Sequence, residues 1–171
     1  MLAFVKTWLD VIVLRKGPDA IPASWISALF ALLLFAAGWV VQLNLYTIDR
    51  EIIGPALVAY GTALASYALI CTAFGYSARV LQMLATVVAC GSLLVLCSAA
   101  VAVLVIPFGG TKSAAIAATL VWFWSIPVEG HILSRTINRP WVVGIAIAVL
   151  IYMLRYAIES NGVPASTPET V

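Results

Sequence analysis

The chain has 171 residues, of which 64% are hydrophobic and only 9% charged, so it lacks the polar surface needed to coat a water-soluble globule of this size. Its formal net charge of +2 comes from nine Lys and Arg residues scattered singly or in pairs, which excludes the dense basic patch of a nucleic-acid binder. Apolar runs of about 20 residues, the length a helix needs to cross about 30 Å of hydrocarbon, recur along nearly the whole sequence. They predict an all-α polytopic integral membrane protein of about five transmembrane helices.

Residues 2–16 place Lys6, Thr7 and Asp10 on one narrow helical face and Phe4, Trp8, Val11 and Leu14 elsewhere, a pattern expected of a short amphipathic helix in the membrane interface. No cleavable signal peptide is expected there, since Lys6 and Asp10 interrupt the apolar stretch. Pro18 and Pro22 then break the helix into an elbow, with Ser24 available as the N-cap of the next helix. The first span is predicted over 25–46, with aromatic residues at both ends and no charge between them. Asp49, Arg50 and Glu51 form a charged loop, and Gly54 and Pro55 open a second span over 55–76. A third span over 81–106 is closed by Pro107, Gly109 and Gly110, a fourth over 113–134 by Arg135, Asn138, Arg139 and Pro140. The fifth runs over 141–157, and residues 159–171 read as a disordered tail. The spans and their turns make one transmembrane domain over 25–158, preceded by the 1–24 segment.

Small residues four apart let helix backbones approach closely, which marks Ala59 with Ala63, Gly61 with Ala65, and Gly144 with Ala148 as packing faces. Across five spans, Lys6, Arg15, Lys16, Arg79, Arg135 and Arg139 fall on one side and Arg50, Lys112 and Arg155 on the other. Six against three predicts a cytoplasmic N-terminus, and an odd span number then an extracytoplasmic C-terminus.

Ionisable side chains inside a span are the candidates for function, because a charge at mid-membrane costs about 2.5 to 3.5 kcal/mol even on the lenient insertion scale. Glu129 and His131 are the acid and the imidazole within a predicted span, and Pro127 beside them frees a backbone carbonyl and permits a kink. Together the three suggest a proton or cation site. Alternatively, Pro127 lets the helix end early and leaves Glu129, His131 and Arg135 among the headgroups. Trp122, Phe123 and Trp124 fall at mid-span, away from the interfacial belts, and are expected to fill a gap between small-residue helices. Arg155 is expected to snorkel to the far interface. Cys71, Cys90 and Cys97 read as small packing residues. No zinc-type histidine pair, phosphate-cradling loop or nucleophile elbow is present, so no catalytic residue, cofactor or metal is expected.

The segment DREIIGPALVAYG, Asp49 to Gly61, followed by Gly75, Tyr76 and Ser77, resembles the acidic stretch, Gly-Pro and Gly-Tyr features of Yip1-type five-span membrane proteins. Ile53 stands where that pattern has an aromatic residue before Gly-Pro, and a long soluble N-terminal region is missing. The resemblance implies a non-enzymatic membrane-organising or accessory subunit. Its expected partners are the lipid bilayer, other membrane subunits or copies of itself, in a bacterial inner membrane. The alternative is a small oligomeric transporter or channel working through Glu129 and His131.

Overall fold

The structure, a computed structural model, describes residues 2–45 and 50–162. The expected end of the first span at Tyr46, Asp49, and residues 163–171 of the expected tail lie outside the described residues. The helices are α1 (Leu2–Ile12), α2 (Trp25–Leu45), α3 (Arg50–Ala73), α4 (Val80–Thr136) and α5 (Trp141–Gly162), with single 3-10 turns at Pro18–Ala20 and Ser77–Arg79. Four segments, Trp25–Leu45, Ile52–Ala73, Ser77–Thr136 and Trp141–Gly162, are long and apolar enough to cross a membrane.

Local chemistry sets the helix ends. Ser24 caps α2, its Oγ accepting the Ser27 backbone N–H at 3.3 Å. Three helices close with one motif, in which a residue of positive φ turns the chain and the next N–H reaches back five residues to an unsatisfied carbonyl. Gly75 plays this part after α3, with Tyr76 bonded to Cys71, and Asn138 after α4, with Arg139 bonded to Ser134. Leu14 does so after α1, at φ 61°, with Arg15 bonded to Asp10. A bulky side chain is rare in this region, and no residue type announces it in the sequence.

Several boundaries differ from expectation. Helix α3 begins at Arg50, so Pro55 lies inside it rather than at its opening. Helix α5 runs on to Gly162, beyond the expected end at 157. Neither Pro107 nor Pro127 ends a helix, and both lie inside α4. The 57 residues of α4 would span about 85 Å if straight, nearly three times a hydrocarbon core. They are not straight. Gly110 has φ 72° and ψ 178°, a conformation open essentially only to glycine, and it divides α4 into arms 80–109 and 111–136. The arms fold back on each other, because Arg79 Nη1 donates to the Thr136 carbonyl at 3.5 Å and so joins the two ends. At the opposite end of the bundle, a Cβ placed on Gly162 would lie 2.6 Å from the Pro55 Cβ, so α5 finishes where α3 starts.

Helix α1 is docked rather than free. Trp8 and Val11 are completely buried, and Phe4 stacks on Phe30 of α2 at 6.4 Å between centroids. Two side chains of α4 hold its backbone: the Cys90 thiol donates to the Trp8 carbonyl at 3.8 Å, and the Trp124 indole to the Ile12 carbonyl at 3.0 Å. The second bond satisfies one of the carbonyls that any helix leaves unpaired at its C-terminus. Asp10 pairs with Lys16 at 2.8 Å across the turn after α1.

Close helix contact concentrates where the second arm of α4 crosses α5. A Cβ on Gly144 would lie 2.1 Å from the Gly130 carbonyl oxygen, and one on Gly130 would lie 2.8 Å from the Ile145 Cα. Ala59, Ala63, Gly144 and Ala148 are all buried, whereas Gly61 and Ala65 face outward.

Candidate functional site

Residues from α2, α3, both arms of α4, and α5 enclose a cavity of about 330 Å³. Its walls are mainly apolar and aromatic, with Phe35, Trp39, Tyr60, Trp122 and Tyr152 among them, and Glu129 supplies a carboxyl group. Seven residues separate Glu129 from the end of α4 at Thr136, about 10 Å along the axis, so the carboxyl lies well inside the bundle.

Glu129 is held from two other helices. The Tyr67 hydroxyl of α3 donates to Oε2, and the Tyr152 hydroxyl of α5 donates to Oε1 at 3.0 Å. Tyr152 is also hydrogen-bonded to the Ser125 hydroxyl, one turn before Glu129, and Ser125 Oγ lies 2.5 Å from the Trp122 carbonyl. The Trp122 ring meets Tyr152 edge-on at 5.4 Å, which fixes the orientation of that phenol. The Trp122 ring forms a cavity wall, but Trp122, Phe123 and Trp124 are all about half exposed and so do not fill a gap between helices as expected.

Arg155 enters the same cavity from α5. Its guanidinium sits over the faces of Tyr60 and Tyr152, 5.5 and 5.7 Å from their centroids, and pairs with Glu159 at 3.4 Å. Among the described residues, no basic side chain comes within ion-pairing distance of Glu129. The cavity therefore combines aromatic faces, already shown by Arg155 to accept a cation, with a carboxyl group that hydroxyls solvate.

The expected polar trio does not act as one group. Residues two apart on a helix point to different sides. Accordingly, Glu129 faces the cavity, whereas His131 Nε2 donates to the Lys16 carbonyl at 3.0 Å and ties α4 to the elbow. Pro127 lies inside the same helix, which continues to Thr136. Lys6, Arg15, Lys16, Arg79, Arg135 and Arg139 are exposed. Arg15 and Lys16 flank the elbow, which touches Arg135 at Gly17, Arg79 reaches Thr136, and Arg139 lies over the Phe74 ring at 5.5 Å, so these five gather at one end of the bundle. Cys71 and Cys90 are buried free thiols and Cys97 is an exposed one. Among the described residues no three His, Cys, Asp or Glu side chains converge as a metal site.

Sequence reasoning passed over Tyr67, Tyr152 and Ser125. Their signal was positional: tyrosine favours the ends of spans, and Tyr152 sits near the middle of α5. No family model matches the chain, and no curated protein or solved structure shows significant similarity to it.

Proposed function

We propose that this chain is a five-span, non-enzymatic membrane protein that binds a small, largely apolar organic cation in the Glu129 cavity and carries it within or across the bilayer. The observation that carries this reading is the cavity itself. A concave, mostly apolar site with a few convergent polar groups is the usual form of a small-molecule site, and about 330 Å³ lies within the usual range. Aromatic faces attract a delocalised cation, and the carboxylate supplies the opposite charge. His131 belongs to the elbow in this reading and not to the site.

The hairpin in α4 supports counting its two arms as separate spans, giving five. The basic residues gathered at the elbow end support placing that end in the cytoplasm. A reporter fused at residue 1 should then behave as cytoplasmic and one at residue 171 as extracytoplasmic; both on one side would remove the five-span reading. For the site, the parent protein in liposomes should take up a lipophilic cation. Glu129→Gln should reduce uptake at least about tenfold, the equivalent of 1.4 kcal/mol, while His131→Ala should leave it near the parent level. Equal uptake by the parent and Glu129→Gln would sink the proposal.

A second reading, a membrane-organising or accessory subunit like the Yip1-type proteins, draws support from the exposed basic end beside the docked α1. Deleting residues 2–16 should then weaken binding to anionic vesicles or partner subunits while the spans still insert.

A further inference from the structure

The groups around Glu129 form one hydrogen-bonded chain: Tyr67, Glu129, Tyr152, Ser125 and the Trp122 carbonyl. Its protons can be counted. Each hydroxyl donates once and can also accept, an ionised carboxylate only accepts, and a carbonyl only accepts. If Glu129 is ionised, Tyr67 and Tyr152 both donate to it. The Tyr152 oxygen is then free to accept from Ser125, whose proton turns away from Trp122. The Trp122 carbonyl loses nothing essential by this, since a mid-helix carbonyl has its own backbone partner.

If Glu129 is protonated, the order along one branch reverses. Glu129 donates to Tyr152, Tyr152 donates to Ser125, and Ser125 donates to the Trp122 carbonyl at 2.5 Å. Tyr67 continues to donate to the other carboxyl oxygen. The same heavy-atom positions thus satisfy every donor in both protonation states, with only two hydroxyl protons rotating. A buried carboxyl usually finds one of its two states left with unmatched groups, at a penalty of about 1 to 3 kcal/mol for each.

We propose that Glu129 exchanges one proton for one organic cation, releasing the proton when the cation enters the cavity. This rests on the cavity reading above and adds the coupling. The proton leaves the carboxyl for water at the mouth of the cavity, since the chain ends at a backbone carbonyl and offers no through-path. The carboxylate left behind balances the incoming cation. Among the described residues, the other titratable groups facing Glu129 are Tyr60 and Tyr67 on α3, Cys90 on the first arm of α4, and Tyr152 and Arg155 on α5. Arg155 is the charged one among them and is committed to Glu159. Helix α2 lines the cavity with Phe35, Gly38, Trp39 and Gln42, none titratable, and among the described residues α1 supplies no lining side chain.

The test is calorimetric titration of the purified protein in detergent with methyltriphenylphosphonium, in two buffers of different ionisation enthalpy at each pH. The parent should release about one proton per cation bound, and affinity should rise about tenfold per pH unit where Glu129 starts protonated. Glu129→Gln should release none. Ser125→Ala keeps the charge and the cavity but removes the acceptor that only the protonated arrangement needs, so it should move the pH dependence to more acid values. Should Glu129→Gln fail to fold, the parent and Ser125→Ala decide. Cation binding by the parent with no proton release at any pH at which the protein stays folded would overturn the exchange and leave the cavity reading standing. No cation binding at all would overturn both.

Discussion

The crossing of α4 and α5 at Gly130 and Gly144 permits a quantitative test by Gly144→Ala. The added Cβ would sit 2.1 Å from the Gly130 carbonyl oxygen and 2.8 Å from the Ser134 Cβ. Carbon and carbonyl oxygen do not normally approach closer than about 3.3 Å, so the helices must part by about 1 Å. Overpacking of this kind costs about 1 to 3 kcal/mol. The same movement lengthens the 3.0 Å bond from Tyr152 to Glu129, because Gly130 adjoins Glu129 and both helices carry the bond. Gly61→Ala is the matched control. Its Cβ would meet nothing within 4 Å, so the helix should gain about 0.5 to 1 kcal/mol from lost backbone entropy in the unfolded state. Unfolding in mixed micelles should therefore separate the two variants by about 1.5 to 4 kcal/mol in opposite directions from the parent. Gly130→Ala combined with Gly144→Ala should be less damaging than the sum, since one separation relieves both clashes. If Gly144→Ala proved as stable as Gly61→Ala, the close crossing would be wrong.

Three further outcomes can be checked. Trp124→Phe removes the donor to the Ile12 carbonyl and should free α1, lowering stability by about 1 kcal/mol and raising amide exchange in residues 2–16; unchanged exchange would count against the clamp. Tyr152→Phe should weaken cation uptake more than Phe123→Leu, because Tyr152 lines the cavity and Phe123 is exposed; equal effects would place the site elsewhere. The hydrogen bond from Lys16, helped by the charges of Lys16, Lys6 and Arg15, holds the Asp10 carboxyl below its ordinary value of 3.8. Its contribution to α1 docking is present above that value and is lost as pH falls through the lower, folded one, so proteolysis of residues 2–16 should accelerate only in that acid range and be pH-independent in Asp10→Asn.

Much of the fold was legible because breakers and apolar runs agree. Ser24, Gly75, Asn138 and Pro140 stop or start helices by chemistry that can be read from residue type. Positions set by tertiary contact were less visible. Leu14 takes a turn conformation that its side chain disfavours, and the docking of Trp8 and Val11 decides it. Pro55 suggested a helix opening, yet α3 reaches back a further five residues to Arg50, and the end of α5 packs against Pro55 itself. The site was half legible. Glu129 stands out as an acid in an apolar run, but its partners come from helices 62 residues before it and 23 after it. Tyrosines in apolar runs carry no mark of which carboxyl they will meet.

That spacing has a consequence for biogenesis. Tyr67 is already in the bilayer when Glu129 is made, whereas Tyr152 comes 23 residues later, about 1 to 5 s at ordinary elongation rates. During that interval the carboxyl has one hydroxyl donor from a neighbouring helix, and the hairpin of α4 has no α5 to lie against. The last span is thus the step that closes the cavity, solvates the acid fully and fixes the glycine crossing together. A nascent chain halted before Tyr152 would carry a membrane-buried acid with an open side, the kind of lesion that membrane quality control can recognise.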